Sequence, residues 1–260
     1  MARAKRHYIP GQIWHITHGC HKREFLLEFA KDRRRWLKWL FEARKRYGLV
    51  ILDYTVTSNH IHLLVADDAD RKTIPDSIKL VAGRIGQEFN QRKKRKGAFW
   101  EDRYHATAVE NGEHLLQCLL YIDLNMVRAG VVNHPSEWPF GGYNEIQGPK
   151  KKNVLIDYDR LRRLLDFKSY EDVRNNHKKW VESCLKNGTN GKDEKWTRSL
   201  AVGSKTFIDG VKKEMGIAAK GRKRIKGGDS YQLREIQIPY IANLGAKNSD
   251  IEAENTYNWE

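Results

Sequence analysis

The residues best suited to metal chemistry are two histidines separated by one position, His60 and His62. Ile61, Leu63 and Val65 alternate with them, which predicts a strand with both imidazoles on one face and apolar side chains on the other. Two imidazoles on one face can reach a single divalent ion. A pair of this kind also occurs on solvated strand faces, so the pattern alone leaves a metal site and a polar surface as alternatives.

A second polar group recurs three or four residues apart further along the chain, as His114, Gln117, Tyr121, Asn125 and Arg128. This spacing predicts one face of a helix, beside an apolar stripe that would pack on a sheet. A tyrosine hydroxyl has an ordinary pKa of about 10, so it needs a nearby cation to attack a phosphodiester. Asn125 could add an amide oxygen to Mg²⁺ or Mn²⁺ held by the histidines. The alternative is an amphipathic helix with Tyr121 at the edge of the core.

The elements that must position these residues follow in the order β-α-β-β-α-β-α. Their predicted limits are a strand over 12–19, a helix from Phe29 to Tyr47, strands over 49–57 and 60–65, a helix opening at Pro75, a strand over 104–109, and a helix capped by Asn111 that ends near Gly130. This order predicts an α+β fold with a ferredoxin-like antiparallel sheet and helices on one face.

A domain boundary is predicted where glycines, a proline and three lysines cluster, over 141–152. We therefore expect a first domain over residues 1–148 and a basic, mainly helical C-terminal region over 149–260, for DNA binding or dimerisation. Helices are predicted over 158–165 and 170–185. Residues 219–228 are predicted to form a linker, and five of them are Lys or Arg. This segment is either a flexible DNA-binding arm or a linker whose charges are simply solvated.

The composition favours a polyanionic partner, because the formal net charge is +15 and the isoelectric point is about 9.7. A hydrophobic fraction of 40% excludes a fully disordered chain. The three cysteines form no CxxC pair, which argues against a zinc ribbon or a disulfide framework. Apolar runs are too short to span a membrane. We expect a cytoplasmic, nucleoid-associated protein with no membrane partner.

Joined together, these motifs resemble a known family. His60-Ile61-His62 looks like the His-hydrophobic-His motif of HUH endonucleases, and with the segment 121–132 it is similar to the REP-associated tyrosine transposases. Further matching segments lie at 9–11, 14–17, 46–49, 99–104 and 138–140, so the resemblance covers about residues 8–145. Two positions depart from the family pattern, because Ser58 and Met126 stand where the family commonly has proline.

The resemblance implies a metal-dependent enzyme that cleaves single-stranded DNA beside a hairpin, through a 5′-phosphotyrosine link and a free 3′-hydroxyl. It makes Tyr121 the nucleophile and His60 and His62 metal ligands, with Asn125 at the position of a third ligand. The implied cofactor is Mg²⁺ or Mn²⁺. The implied partners are single-stranded hairpins of REP-like repeats, bound by a monomer or a homodimer.

Basic and aromatic residues near these motifs are candidates for DNA contact. We assign to this role Arg92, Lys93, Lys94, Arg95, Lys96, Trp100, Arg103 and Arg128, because cations can follow a phosphate backbone while an aromatic ring stacks on a base. The alternatives are a solvated helix end for the basic run and ion pairing with Glu101 and Asp102 for Arg103.

Three functions compete on the sequence alone. The first is the nicking and joining enzyme described above. The second is a non-catalytic, domesticated protein that binds repeat hairpins, which would not require His60, His62, Tyr121 and Asn125 together. The third is a replication initiator or relaxase, which would typically bring a helicase or primase domain with a phosphate-binding glycine loop.

Overall fold

The strands of the computed structural model form a single mixed sheet. The structure describes residues 8–68, 70–188 and 193–235, and within these ranges the sheet has seven strands. They are β1 (Ile13–Gly19), β2 (Val50–Val56), β3 (His60–Ala66), β4 (His105–Val109), β5 (Ala201–Gly203), β6 (Arg222–Gly227) and β7 (Ser230–Glu235).

The helices between these strands match most of the predicted segments. They are α1 (Ala30–Tyr47), α2 (Thr73–Arg92), α3 (Glu113–Asp123), α4 (Asn125–Arg128), α5 (Tyr143–Gln147), α6 (Tyr158–Leu164), α7 (Tyr170–Lys186), α8 (Lys195–Arg198) and α9 (Lys205–Met215). Gly48 ends α1 in the left-handed conformation, with φ of 70°, which a glycine adopts without strain. None of the helices in the described ranges is both long enough and apolar enough to cross a membrane.

The strand order is β2-β3-β1-β4-β5-β7-β6, and the first four strands pair antiparallel. The predicted α+β class and ferredoxin-like order are therefore confirmed. β1 and β3 lie inside the sheet, so both of their faces need cover. Ile16 and Leu63 are buried on one face, and His15 and His62 on the other.

The helices cover both faces of the sheet, whereas the sequence predicts helices on one face only. One face is covered by α2. On this face Trp100 stacks on His18 and donates from Nε1 to the carbonyl of Ala82 in α2. On the opposite face, the hydroxyl of Thr55 donates to the carbonyl of Ile122 in α3. The physical reason is that the central strands bury side chains in both directions, so one helical layer cannot shield them.

The C-terminal region extends the same sheet. β5 runs parallel to β4, and β7 and β6 continue the sheet as an antiparallel hairpin. The prediction of a linker over 219–228 is wrong, because Arg222 to Gly227 pair along their whole length with β7. The region is mainly helical outside these strands, and the division at residue 148 remains a prediction.

Candidate active site

The two histidines of the predicted metal motif lie on the face of β3 that is covered by α3. Their ring centroids are 4.9 Å apart, and the side chain of His62 is buried while that of His60 is half-buried. The alternation predicted from the sequence is present, since Ile61 and Leu63 are buried on the reverse face. A polar surface strand is therefore excluded for this segment.

The hydrogen bonds of His60 decide where its lone pair lies. Nδ2 of Asn59 donates to the carbonyl of Arg23 at 3.2 Å, which turns Oδ1 of Asn59 toward His60. Because this oxygen only accepts, Nδ1 of His60 is the donor across the 2.7 Å contact. In the neutral ring the lone pair is then on Nε2.

His62 is oriented by a chain of two buried histidines. Nδ1 of His15 lies 2.9 Å from the carbonyl of Trp196 and must donate to it, so Nε2 of His15 is an acceptor. That acceptor lies 2.9 Å from Nδ1 of His62, which therefore carries the proton. The rings of His15 and His62 are stacked with centroids 5.0 Å apart. The lone pair of His62 is thereby fixed on Nε2, as it is on His60.

Burial keeps both linked imidazoles neutral. Burial lowers the pKa of His15 to about 3, although its bond to the Trp196 carbonyl opposes the shift. Burial also lowers the pKa of His62 well below its ordinary value, and the neighbouring charges of His60 and His15 add to the effect. A neutral His62 ring with its lone pair directed on Nε2 suits metal ligation.

The low pKa of His15 makes stability depend on pH. Below pH 6.5 the unfolded chain binds a proton at His15 that the folded chain excludes until about pH 3. The stabilisation is thus complete above pH 6.5 and is lost as the pH falls through that window, at about 1.4 kcal/mol per pH unit. We expect His15→Gln to show a shallower decline in unfolding free energy between about pH 6 and pH 4, measured by urea denaturation. Identical slopes in both proteins would contradict this prediction.

Tyr121 lies beside the histidines within the same chain. Its ring centroid is 5.6 Å from that of His62 and 6.0 Å from that of His15, and the side chain is 8% exposed. Burial raises the pKa of the hydroxyl, and the guanidinium of Arg128 opposes that shift. This guanidinium lies 4.2 Å from the centre of the tyrosine ring. The hydroxyl is therefore neutral at pH 7 and needs local positive charge to ionise.

Asn125 reaches His62 because the helix is interrupted just before it. The predicted helix to Gly130 is split at Leu124, where the carbonyl of Ile122 accepts from Leu124 and from the hydroxyl of Thr55. The following short helix places Nδ2 of Asn125 3.0 Å from Nε2 of His62. Asn125 thus lies next to the lone pair that a metal would use.

The C-terminal region holds the tyrosine helix from two sides. Asp123 is bonded to Nε2 of His177 in α7 at 2.7 Å, with both side chains buried. Nζ of Lys195 in α8 donates to Oε1 of Gln117 at 3.2 Å. The α8 segment also supplies the Trp196 carbonyl that orients His15. Residues far beyond the motifs therefore position them.

The donor set at this place fits a divalent cation. The rings of His60 and His62 have centroids 4.9 Å apart, and the side-chain amide of Asn125 lies 3.0 Å from Nε2 of His62. Rotating that amide would turn its oxygen toward His62. Among the described residues there is no group of three or more His, Cys, Asp or Glu side chains able to hold a metal. A metal at this site would therefore depend on the amide oxygen and on ligands from outside the protein.

The predicted DNA-contact residues lie in two places. The run 92–96 begins at the last residue of α2, on the sheet face opposite Tyr121. In that run Arg92 is paired with Asp32, Arg95 donates to the carbonyl of Ala98 at 2.9 Å, and the three lysines are exposed. Trp100 is packed on the α2 side and Arg103 is exposed. Arg128 is the member that contacts Tyr121, to whose carbonyl it also donates.

Sequence reasoning missed the two residues that orient His62. The sequence alone assigns no functional role to His15, and Trp196 belongs to no motif. The only signal in the sequence was that His15 lies in a predicted strand, which can pair with the strand that contains His62. Strand pairing between distant segments is what brings the two rings together.

Part of the chain matches a known protein family. Residues 10–125 match the model of the IS200-like transposase family. This part of the chain is similar to that family, which supports a DNA-processing enzyme. The resemblance noted from the sequence is confirmed.

Two solved structures are similar to this chain. One is a REP-associated tyrosine transposase bound to a REP hairpin, with 22% identity and a TM-score of 0.46 over 57% of this chain and 87% of that chain. The other is a candidate transposase of Deinococcus radiodurans R1, with 17% identity and a TM-score of 0.34 over 50% and 98% of the respective chains. No curated protein matches the sequence.

Proposed function

We propose that this protein is a metal-dependent single-stranded DNA endonuclease and strand transferase that cleaves at hairpin repeats through a 5′-phosphotyrosine intermediate. The observation that supports it most is the position of Tyr121, whose ring centroid lies 5.6 Å from that of His62, an imidazole with its lone pair fixed on Nε2. Because one chain contains the whole set, a monomer suffices for cleavage.

The proposed covalent step is a transesterification at phosphorus. The phenolic oxygen of Tyr121 forms a bond to the scissile phosphorus while the bond from phosphorus to the 3′-oxygen breaks. The proton lost from the phenol passes to solvent, and the departing 3′-oxygen takes up a proton to give a free 3′-hydroxyl. The 5′-phosphate remains on the enzyme, where attack by another 3′-hydroxyl reverses the step and joins the strands.

The side chains around Tyr121 divide the remaining work. His60, His62 and Asn125 would hold Mg²⁺ or Mn²⁺, and a bound divalent cation supplies Lewis-acid polarisation of the phosphate. His15 and the Trp196 carbonyl keep the lone pair of His62 directed outward. Arg128 supports the ionised phenol, since its charge opposes the rise in the hydroxyl pKa that burial causes.

The proposed substrate is single-stranded DNA next to a hairpin. Tyr121 is only 8% exposed between the sheet and α8, where a flexible strand enters more readily than a stiff duplex. The net charge of +15 favours a polyanion. The match of residues 10–125 to a transposase family supports DNA over other polyanions.

The test is formation of a covalent adduct. The full chain is mixed with end-labelled hairpin oligonucleotides in the presence of Mg²⁺ or Mn²⁺, and products are separated in SDS. We expect a label that migrates with the protein and disappears when the cation is removed with EDTA. Binding to the hairpins without any adduct, under all cations tried, would favour the non-catalytic hairpin-binding protein instead.

The orienting role of His15 gives a separate prediction. His15→Leu is expected to weaken Mn²⁺ binding by about 10- to 100-fold, because His62 loses the acceptor that fixes its proton on Nδ1. Titration calorimetry or electron paramagnetic resonance of Mn²⁺ measures this directly. His18→Leu is the matched control, since His18 lies on the opposite face of the same strand and is bonded to the carbonyl of Asp102. Equal loss of affinity in both variants would refute the orienting role.

A further inference from the structure

The strands β6 and β7 add a positively charged edge to the sheet. β6 is the last strand in the order and contains four Lys or Arg residues among its six positions. Strand alternation and the pairing register divide these residues between two faces. The two faces differ in how their charges are compensated.

One face of the hairpin has its arginines paired. Arg224 bonds to both carboxylate oxygens of Asp209 in α9, at 2.5 and 2.6 Å, and Arg222 lies 3.8 Å from Glu235. This is the side that α9 covers. Its arginines therefore serve contacts within the protein.

The other face is the one that carries the candidate active site. His15 lies opposite Thr107 of β4, and Val109, on the same face of β4, lies opposite Val202 of β5. Val202 in turn lies opposite Gln232 of β7, so this face continues from His15 to the sheet edge. Lys223 lies at that edge, opposite Arg234. Within the described ranges no carboxylate pairs with Lys223, and its side chain is exposed.

Cations connect this edge to the tyrosine helix through direct contacts. Lys195 bonds to Gln117 of α3 and pairs with Asp193, and Arg198 is exposed on the same short helix and pairs with Glu194. Arg234 donates to the hydroxyl of Ser199 at 3.3 Å. Lys223 then lies beside Arg234. The series Lys195, Arg198, Arg234 and Lys223, which we call the basic track, crosses the active face from Tyr121 outward.

The distance from the candidate active site to the edge strand suits duplex DNA. Five strand intervals of about 4.8 Å separate β3, which carries His62, from β6, so this distance is about 24 Å. Duplex DNA advances about 3.4 Å per base pair, so this is the length of about seven base pairs. Ile225, 45% exposed beside Lys223 on this face, offers an apolar surface to the sugars.

From these contacts we propose that the basic track binds the phosphate backbone of the hairpin stem while the adjoining single strand enters at Tyr121. This proposal rests on the proposed function and assigns to the C-terminal region a role in substrate docking. A cationic edge strand can also serve only to prevent edge-to-edge association between sheets, so the experiment must separate the two roles.

The experiment compares Lys223→Glu with Lys226→Glu in the full chain. Lys226 is also an exposed lysine on the same strand but on the opposite face, and both variants change the net charge equally. We expect Lys223→Glu to weaken binding of a stem-containing hairpin by about five- to tenfold and to lower the salt slope of binding by about one. Binding of a stemless oligonucleotide with the same single strand should change less than twofold. Lys226→Glu should bind both DNAs like the wild type.

Each contrary result has a definite meaning. Equal weakening by both variants would show a general charge effect, and equal weakening toward both DNAs would show contact with the single strand; either overturns stem docking. Aggregation of Lys223→Glu with unchanged hairpin affinity would assign the lysine to edge protection. Failure of the wild type to form any adduct would instead refute the proposed function, and the binding comparison can still be read.

Discussion

Tyr121→Phe is expected to abolish the covalent protein–DNA adduct while hairpin affinity changes less than twofold. Only the nucleophilic oxygen is lost, and the ring still packs against His62, His15 and Trp196. Losing the nucleophile of a covalent mechanism removes the step rather than slowing it, so adduct yield should fall by at least about 1,000-fold. Gel analysis in SDS measures the adduct, and fluorescence anisotropy measures the binding.

Tyr104→Phe provides the matched control for this variant. Tyr104 is as deeply buried as Tyr121, at 8% exposed, but it lies on the other side of the sheet against His18. We expect the control to form adduct at the wild-type rate. An adduct that persists in Tyr121→Phe would show that another residue attacks the phosphate.

His62→Ala is the second variant with a large expected effect. It removes one imidazole ligand and leaves Nε2 of His15 without its donor, so Mn²⁺ binding and adduct formation should both fall by at least about 100-fold. Because a buried partner is lost, some destabilisation is expected too, of about 1–3 kcal/mol. His60→Ala tests the same site with less disturbance, since that side chain is only half-buried.

Affinity for Mn²⁺, measured by calorimetry on folded protein, separates ligand loss from unfolding. His134→Ala is a suitable control because His134 is a half-buried histidine that faces Glu182 and Ser136 rather than the site. If His60→Ala and His62→Ala bind Mn²⁺ as tightly as the control does, the metal is held elsewhere.

Local patterns were sufficient to predict the elements that carry the motifs. The strand predicted from His60 to Val65 is observed as His60–Ala66, and the helix predicted from Phe29 to Tyr47 is observed as Ala30–Tyr47. Both elements can be predicted because their signals, the hydrophobic periodicity and the residue that ends the element, lie within a few positions of each other in the sequence. The polar stripe that contains Tyr121 and Asn125 was predicted for the same reason.

Long-range pairing limited the rest of the prediction. His15 and His62 are 47 positions apart, and their contact depends on the register between β1 and β3. The Trp196 carbonyl is more distant still and belongs to the region beyond residues 10–125. Most of the linker predicted over 219–228 forms β6 in the structure, because these residues pair with β7. Composition alone does not reveal such partners.

Mapping the attachment point of the DNA tests the central claim most directly. The adduct formed with a hairpin oligonucleotide is digested with protease and nuclease, and the nucleotide-bearing peptide is sequenced by mass spectrometry. We predict a single 5′-phosphate ester on the phenolic oxygen of Tyr121, with an equal amount of new 3′-hydroxyl ends in the released DNA. A nucleotide attached to any other residue, or cleavage that yields no phosphotyrosine, would contradict the account.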